Sequence, residues 1–334
     1  MTTAVPARTP APPTLHEIQA PVRDALARVS EELRRIVTAD LPLIDAVNAH
    51  LLLMKGKMFR PTLTLLASRV GEAPAPHDVT LAAIVELVHL ATLVHDDSVD
   101  HSTLRRGMPT INALFTHQIS VIMGDFLYSR AVVELVQLGD LDVLRVLANA
   151  TNVMTVGEMR QLTALDALAF TESDYEALIR SKTASLLSAA CEIGAVAGGG
   201  AYRDQLARYG EQLGMAFQVA DDLLDYTADA AVTGKPTGLD LREHKVTLPL
   251  IAALRTMSAA SRREVEALFA TPEPSDDQIE RVISIVAEAG GLDYARRRGA
   301  EYARAAEAAL DGLPDTPAVA ALHDAIAYAM DRSQ

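Results

Sequence analysis

The sequence predicts an all-α protein, and its composition and patterning both support that fold class. Of 334 residues, 49% are hydrophobic but only 4% are aromatic, and there is no tryptophan. The apolar residues are mostly Ala, Leu and Val, and Ala and Leu are strong helix formers. A β-protein of this size would carry alternating runs richer in aromatic and β-branched residues. We therefore expect a single-domain bundle of about ten or more helices around a central cavity.

The helices can be predicted in chain order from their start and stop signals. Residues 1–13 contain four prolines and are expected to form a disordered arm, which places the helical domain at 14–334. Thr14 and Glu17 match a capping box that should begin the first helix. Helices are expected at 15–38, 43–54, 61–70, 78–100, 109–138, 140–165, 173–197, 203–228, 247–256, 260–269, 276–290, 292–313 and 317–331. Between them, 227–245 is predicted to be one long loop of the kind that often closes over a binding site.

Two of these helices should lie at the centre of the bundle. Residues 81–100 and 212–226 are apolar on nearly all sides, which is typical of buried helices. Each ends in an acidic cluster with the pattern D-D-x-x-D. The first cluster is Asp96, Asp97 and Asp100, and the second is Asp221, Asp222 and Asp225.

The spacing within each cluster points to metal binding. Carboxylates at i, i+1 and i+4 project from one side of a helix over about one turn. In an apolar cavity, two carboxylates about 6 Å apart would repel by about 3 kcal/mol at an effective dielectric constant near 20. Such sites need cations, and Mg²⁺ prefers a few carboxylates completed by water and substrate phosphate. The two clusters therefore predict several Mg²⁺ ions in one shared cavity.

Overall charge and cysteine content exclude several other classes of function. The net charge of −14 argues against nucleic acid as a main partner and against simple docking to anionic lipid. No run of about 18 uncharged apolar residues is present, so no transmembrane span is predicted. The single cysteine, Cys191, cannot form an intrachain disulfide, and we expect it to be buried in a helix of a protein from a reducing compartment.

Basic residues are interleaved with the acidic clusters in a way that suits a diphosphate held between metals and cations. Arg105 and Arg106 follow the first cluster, and Lys235 and Lys245 follow the second. Lys182, together with the adjacent threonine, interrupts a further apolar helix.

Several stretches of the chain, taken together, resemble the trans-isoprenyl diphosphate synthases, or polyprenyl synthetase family, from about residue 15 to 331. They are GKMFRP, ELVHLATLVHDD, the continuation of the first cluster into LRRGMPT, GEMRQL, GMAFQVADDLLDY and DLREHKVTLPL. The most similar subgroup is the long-chain all-trans synthases of the octaprenyl type. Two positions depart from the family pattern, because Lys55 and His244 stand where its members usually have glycine.

The resemblance implies specific roles for the charged residues. All six aspartates would surround three Mg²⁺ ions, with Asp96, Asp100 and Asp221 as the firmest ligands. The allylic diphosphate would be bound by Arg105, Lys182 and Lys235, with Lys245 ranked below Lys235 because of its histidine neighbour. The diphosphate of isopentenyl diphosphate would be bound by Lys57, Arg60, His89 and Arg106.

The reaction that the resemblance implies is ionisation, condensation and elimination. Polar groups near Lys182, Thr183 and Gln218 would stabilise the allylic cation, and the departed diphosphate would take the final proton. The expected primer is farnesyl or geranyl diphosphate. The resemblance also implies a homodimer, and we expect a cytoplasmic enzyme that associates loosely with membranes for product release.

Product length should depend on residues one turn before the first cluster. Ala91 and Thr92 are small, whereas short-chain relatives often carry aromatic residues there. Val88 lies below them, and Val132 on the next helix stands where relatives often carry phenylalanine. These residues predict an open tunnel and a long product, although ordinary packing of small side chains would give the same pattern.

Other interpretations remain open at this point. One is a shorter-chain synthase, such as a geranylgeranyl diphosphate synthase, and another is the catalytic subunit of a two-component synthase. A class I terpene cyclase is disfavoured by the second D-D-x-x-D, and a regulatory subunit is disfavoured because none of the six aspartates is missing. Glu158 and Gln161 are interpreted as polar packing residues, and His95 as a structural residue or one that supports the residues that bind the ligand.

Overall fold

Helices make up nearly all of the chain that the structure describes. The structure is a computed structural model, and it describes residues 12–54, 56–71, 76–162, 167–227 and 237–331. The predicted all-α fold class is confirmed. The predicted N-terminal arm lies almost wholly outside the described residues.

The first part of the chain contains five helices that end at the first acidic cluster. They are α1 (Leu15–Gln19), α2 (Arg23–Val37), α3 (Pro42–Leu53), α4 (Phe59–Ser68) and α5 (Asp78–Val99). The predicted capping box is present, since Thr14 and Glu17 satisfy each other's backbone N–H groups. The prediction of one helix over 15–38 was wrong in detail, because a 3₁₀ turn at Ala20–Val22 separates α1 from α2. Pro21 lies in that turn and has no N–H to continue an α-helix.

A short β-hairpin follows the first cluster, where the sequence had predicted a helix from residue 109. The strands β1 (Leu104–Arg105) and β2 (Met108–Pro109) pair antiparallel, with Arg105 opposite Met108. The next helices are α6 (Ile111–Leu114), α7 (His117–Leu138) and α8 (Leu141–Leu162). The Thr116 side chain caps α7 by accepting from Ile119 N–H, which is a start signal that the apolar pattern obscured.

The middle of the chain contains a π-helical turn inside what was predicted as one helix over 173–197. After a 3₁₀ turn at Ala167–Ala169, α9 (Glu172–Ile179) runs into the π turn Arg180–Ala184, which continues as α10 (Ser185–Ala197). The helix α11 (Arg203–Thr227) then carries the second acidic cluster at its C-terminal end.

The remaining helices agree with prediction to within four residues at either end. They are α12 (Leu239–Arg242), α13 (Leu248–Leu254), α14 (Ala259–Phe269), α15 (Asp276–Glu288), α16 (Gly291–Ala309) and α17 (Pro317–Met330). Only α12 was not predicted, and it lies within the stretch that was predicted to be a long loop.

The two helices with acidic clusters are also the two around which the protein is packed. α5 packs against α2, α4, α7 and α10, and α11 packs against α10 and α16. From Leu81 to Val88 every residue of α5 is buried. Among the described residues, α5 is the one helix long and apolar enough to cross a membrane, but most of it is buried inside the protein. It is therefore accounted for as a core helix.

Candidate active site

The first acidic cluster lies where α5 ends and the β-hairpin begins. Asp97 is buried, and Arg105 Nε lies 2.8 Å from each of its carboxylate oxygens. A further nitrogen of Arg105 lies 2.7 Å from Asp97 Oδ1. The hairpin thus brings Arg105, predicted to bind the allylic diphosphate, into a bidentate ion pair with a predicted metal ligand.

Asp96 lies beside Lys182 and Glu158. Lys182 Nζ is 2.7 Å from Glu158 Oε1 and 3.8 Å from Asp96 Oδ2. Burial raises the pKa of Asp96 to about 6, and the nearby Lys182 charge offsets only part of that effect. Three elements therefore meet here: α5 through Asp96, α8 through Glu158 and the π turn through Lys182.

The second acidic cluster lies at the end of α11, and two of its aspartates accept hydrogen bonds at both carboxylate oxygens. Tyr175 Oη donates to Asp222 Oδ2 at 2.6 Å, and Gln218 Nε2 donates to Asp222 Oδ1 at 2.8 Å. Burial raises the pKa of Asp222 to about 7. Both oxygens of Asp225 accept from backbone N–H groups at the start of α12, each at 3.0 Å. Burial is also the main cause of a raised pKa at Asp225.

The π turn connects the two clusters. Lys182 lies next to Asp96 of the first cluster, and Thr183 Oγ1 donates to Gln218 Oε1 at 2.7 Å beside the second. A π turn inserts one residue into a helix and is often found at functional sites, since it turns side chains away from the regular helical direction. The predicted cation-stabilising residues Lys182, Thr183 and Gln218 are thus brought together between the clusters.

A second link between the clusters runs through Lys245. Its Nζ lies 2.6 Å from Glu243 Oε2. Burial lowers the pKa of Lys245, but the bond to Glu243 and the charges of Asp100 and Asp240 outweigh burial and raise the pKa overall. Asp240 is half-buried near the second cluster, and the loss of solvent there raises its pKa to about 8. The charge of Lys245 therefore acts on Asp100 of the first cluster and on Asp240, whose backbone N–H donates to Asp225 of the second.

The fit of these residues to Mg²⁺ depends on how many carboxylates each ion needs. Within the described part of the chain, no three Asp, Glu, His or Cys side chains are close enough to hold an ion between them. Mg²⁺ commonly uses only one or two carboxylates and completes its shell with water and substrate phosphate. The donor set fits such a site, in which the substrate supplies the remaining oxygen ligands.

The six predicted ligands are not equivalent in the structure. Asp97, Asp222 and Asp225 each have both carboxylate oxygens hydrogen-bonded to protein donors. Asp96 and Asp221 are half-buried, and Asp100 is exposed. Metal binding stays a prediction for all six aspartates.

A separate cationic cluster contains most of the residues predicted to bind isopentenyl diphosphate. Arg60 Nη1 lies 3.1 Å from His89 Nε2. Burial lowers the pKa of Arg60 to about 10, while the Glu86 charge opposes that shift. Burial, together with Arg60 and Arg106, holds the pKa of His89 well below its usual value. The imidazole is therefore neutral, and its Nε2 accepts from the guanidinium.

Lys57 lies at the edge of this cluster and is exposed. Its ammonium lies 5.3 Å from the centre of the Tyr328 ring on α17, and its carbonyl accepts from Gln19. Arg106 donates to the carbonyl of Met54 at 2.9 Å. The loop between α3 and α4, the hairpin and α17 thus surround the predicted diphosphate site.

The remaining predictions have mixed outcomes. Lys235 and Lys55 lie outside the described residues. His244 has φ of +54°, a conformation that glycine adopts without strain, which fits the glycine that the resemblance led us to expect there. Ala91 and Val88 are buried, and Thr92 and Val132 are half-buried, so their role in a tunnel stays a prediction.

The sequence did not identify four side chains that the structure brings into these clusters: Glu158, Tyr175, Asp240 and Glu86. Glu158 was interpreted as a packing residue, but it holds the ammonium of Lys182. The signal available in the sequence was the place of Glu158 in GEMRQL, one of the stretches that resemble the family. Nothing in the sequence indicated that Tyr175 would reach the second cluster.

Comparison with known proteins shows the family to which the chain is similar. A model of the polyprenyl synthetase family matches residues 41–286. An all-trans-nonaprenyl-diphosphate synthase (geranyl-diphosphate specific) of Rhodobacter capsulatus is 40% identical over 320 residues, covering 95% of this chain and 98% of that protein. An octaprenyl diphosphate synthase of Escherichia coli strain K12 is 38% identical over 307 residues, covering 91% and 94%.

The structure is also similar to solved ones. A polyprenyl synthase from Caulobacter crescentus CB15, complexed with calcium and isoprenyl diphosphate, superposes with a TM-score of 0.91 at 34% identity, covering 98% of this chain and 100% of that chain. The chain belongs to the polyprenyl synthetase family. It is a prenyltransferase, and the class of enzyme predicted from the sequence is confirmed.

Proposed function

We propose that this protein is an all-trans long-chain polyprenyl diphosphate synthase that condenses isopentenyl diphosphate onto an allylic diphosphate. One observation carries the proposal: the π turn joins two acidic clusters on buried helices through Lys182 and Thr183. A site with carboxylates on two sides and a lysine between them suits a diphosphate that brings divalent cations with it. The calcium and isoprenyl diphosphate of the Caulobacter structure support the same chemistry.

The predicted binding residues form two sites, one for the diphosphate of each substrate. Lys182 and Arg105 would bind the allylic diphosphate, and their charges stabilise the negative charge that forms on it as its C–O bond breaks. Divalent cations, when bound at the carboxylates, would supply Lewis-acid assistance to that departure, and we propose Mg²⁺ in this role. Thr183 and Gln218 would face the allylic cation with oxygen atoms.

The second diphosphate would bind without metal at Arg60, His89, Arg106 and Lys57. The buried Glu86 lies in the field of Arg60 and Arg106, and burial raises its pKa. The charges of the two arginines favour the ionised form of Glu86, and in that form Glu86 offsets part of the repulsion between them. The double bond of isopentenyl diphosphate would then attack the allylic cation, and the departed diphosphate would take the proton that is lost.

A long product is supported by two observations. Ala91 and Thr92, one turn before the first cluster, are small. The relatives compared above are named as nonaprenyl and octaprenyl synthases. Purified protein incubated with Mg²⁺, isopentenyl diphosphate and farnesyl or geranyl diphosphate should yield long-chain products, like the octaprenyl and nonaprenyl chains for which those relatives are named. The products are resolved by chromatography after dephosphorylation. Products of four units would favour the shorter-chain alternative, and no elongation with or without a second subunit would refute the proposal.

We also propose that the protein is a homodimer, which buries an apolar surface on α7 and α8. Ile122, Val136 and Met159 are 64%, 63% and 57% exposed, respectively. Ile122 and Val136 lie on the same face of α7, since 14 residues are close to four helical turns. We expect light scattering to show a dimer for the wild type and a monomer for Ile122→Asp combined with Val136→Asp. Leu53→Asp is the control, because Leu53 is equally exposed but lies on α3. A monomeric wild type would contradict the proposal.

A further inference from the structure

Four side chains form a hydrogen-bonded chain behind the reaction site. Tyr175 on α9 is 2% exposed, and its hydroxyl donates to Asp222 Oδ2 at 2.6 Å. The other oxygen of Asp222 accepts from Gln218 Nε2 at 2.8 Å, and Gln218 Oε1 accepts from Thr183 Oγ1 at 2.7 Å. The chain therefore runs from α9 through α11 to the π turn.

Only one assignment of donors and acceptors satisfies this series of hydrogen bonds. An ionised carboxylate has acceptors and no donors, so the group that Gln218 presents to Asp222 must be its N–H. The amide oxygen of Gln218 is consequently turned towards Thr183. A reversed amide would place its oxygen against a carboxylate oxygen and its N–H groups against the threonine side. The orientation of this amide thus depends on Asp222 remaining an acceptor in its present position.

Tyr175 holds Asp222 in that position. A bond of 2.6 Å between a hydroxyl and a carboxylate is at the strong, charge-assisted end of the range. The ring is fully surrounded, so the hydroxyl cannot move to another partner without displacing α9. Without this donor, the Asp222 carboxylate would have one buried oxygen unpaired and would be able to turn away from Gln218.

We propose that Tyr175 is a positioning residue for the prenyl transfer reaction, which acts through Asp222 to keep the amide oxygen of Gln218 directed towards the allylic cation. An oxygen atom fixed in advance near a developing positive charge lowers the barrier to ionisation, whereas a donor N–H in its place raises it. The inference rests on the proposed function. It also assigns Asp222 a different task from the predicted metal binding, because both of its oxygens are engaged in orienting side chains.

The chain offers a matched control for removal of the hydroxyl. Tyr209 on α11 is also fully buried, and its hydroxyl donates to the backbone carbonyl of Leu322 at 2.7 Å. Tyr209→Phe removes a buried hydrogen bond of similar length, 2.7 Å against 2.6 Å, in which Gln218 takes no part. Both variants should lower the melting temperature, so stability alone does not distinguish them.

The test measures kcat and KM separately for both variants at pH 8 with saturating Mg²⁺. Tyr175→Phe should lower kcat by about tenfold or more, while KM for each diphosphate and the half-saturating Mg²⁺ concentration change by less than about threefold. Tyr209→Phe should keep kcat within about twofold of the wild type. The inference is overturned if Tyr175→Phe retains the wild-type kcat, or if both variants lose kcat equally.

A double-mutant cycle tests whether Tyr175 acts through Gln218. Gln218→Met removes the amide, so adding Tyr175→Phe to it should lower kcat little further. If the two losses in kcat multiply, Tyr175 acts independently of the amide and the inference is overturned.

If Tyr175→Phe does not fold, Asp222→Asn takes its place. We then expect kcat to fall while the half-saturating Mg²⁺ concentration stays unchanged. A higher half-saturating Mg²⁺ concentration would contradict the inference. A wild type that elongates no substrate refutes the proposed function instead.

Discussion

At the scale of single residues, the most informative contact is the one that the sequence did not anticipate, between Glu158 and Lys182. Lys182 lies between Glu158 and Asp96. Its Nζ is 2.7 Å from Glu158 Oε1 but 3.8 Å from Asp96 Oδ2. Glu158 therefore keeps the ammonium from pairing fully with Asp96. That arrangement leaves Asp96 able to accept a cation and leaves Lys182 available to a diphosphate.

Replacing Glu158 with glutamine should test this competition. The amide still accepts a hydrogen bond but has no charge, so Lys182 should move onto Asp96 and compete with metal there. We expect the half-saturating Mg²⁺ concentration to rise by about two- to fivefold, because a partly exposed ion pair is worth up to about 1 kcal/mol. The measurement is the initial rate of prenyl transfer as a function of Mg²⁺.

Glu192 provides the control for this variant. It forms a comparable ion pair, 2.8 Å long, with Arg203 outside the site. Glu192→Gln should leave the Mg²⁺ dependence unchanged. An equal Mg²⁺ requirement in wild type and Glu158→Gln would mean that Glu158 is the packing residue that the sequence suggested.

The small residue Ala91 carries the prediction about product length. It is 3% exposed and lies one turn before the first acidic cluster. Ala91→Phe should fill the predicted tunnel and shorten the product by several prenyl units, since an added ring in a buried site displaces its neighbours or the ligand. Chain lengths are read by mass spectrometry of the dephosphorylated products. Leu43→Phe, on exposed α3, is the control, and an unchanged length distribution for Ala91→Phe would exclude the tunnel assignment.

At the scale of elements, most helices could be predicted because their signals are local. The capping box at Thr14, the glycine stop at Gly198 and the apolar pattern of α5 each lie within a few residues of the feature they define. The positions of the two acidic clusters at helix ends followed from the same patterns. The family motifs then placed most candidate residues on the correct elements.

The elements that could not be predicted depend on contacts distant in sequence. The β-hairpin at 104–109 brings Arg105 onto Asp97, and nothing in its two short strands signals pairing. The π turn at Arg180–Ala184 has no local sequence code; it lies where the chain must fit α8 on one side and α11 on the other. The bonds from Arg105 to Asp97, from Tyr175 to Asp222 and from the start of α12 to Asp225 were likewise invisible, because those donors lie on other elements.

Gly157 on α8 packs directly against the π turn, where there is no room for a side chain. A Cβ atom at this position would lie 2.3 Å from Ser181 Oγ and 2.6 Å from Ser181 Cβ. Gly157→Ala should therefore push the π turn and Lys182 away from the first cluster and lower kcat/KM by about tenfold or more, since overpacking typically costs about 1–3 kcal/mol. The measurement is steady-state kinetics with the allylic diphosphate varied.

Two further variants separate this effect from a general cost of replacing glycine. Gly71→Ala should be nearly neutral, because the new methyl group would lie 3.6 Å from its nearest neighbour. Adding Ser181→Gly to Gly157→Ala removes the clashing side chain and should restore part of the activity. If Gly157→Ala is as active as Gly71→Ala, catalysis does not depend on the close packing of the π turn against α8, and the prediction is wrong.

At the scale of the whole molecule, the buried carboxylates link stability to pH and to metal. Burial raises the pKa of Asp222 to about 7, so the folded, metal-free protein holds a proton there that the unfolded chain releases near pH 4. A raised pKa of this kind contributes stability below the unfolded-state value, and that contribution is lost as the pH rises through about 7. The metal-free protein therefore carries a growing electrostatic penalty at this residue between pH 4 and pH 8.

Asp222→Asn should remove that penalty, because asparagine is neutral throughout. In the presence of EDTA, the melting temperature of the variant relative to the wild type should rise from pH 5 to pH 8. A shift of three pKa units corresponds to about 4 kcal/mol at most, equivalent to several degrees in a protein of this size. Altered hydrogen bonds to Tyr175 and Gln218 add only a constant offset. A difference that stays constant across the pH range would show that Asp222 is already ionised in the folded protein at pH 5.

The central claim is that the two acidic clusters share one pocket in which divalent cations and an allylic diphosphate bind together. Crystals grown with Mn²⁺ and a non-cleavable allylic diphosphate analogue would test it most directly through anomalous scattering. We predict Mn²⁺ peaks between the diphosphate and carboxylates of both clusters, with Asp96 and Asp100 on one side and Asp221 on the other. Peaks at one cluster alone, or a diphosphate bound away from Lys182, would contradict the account.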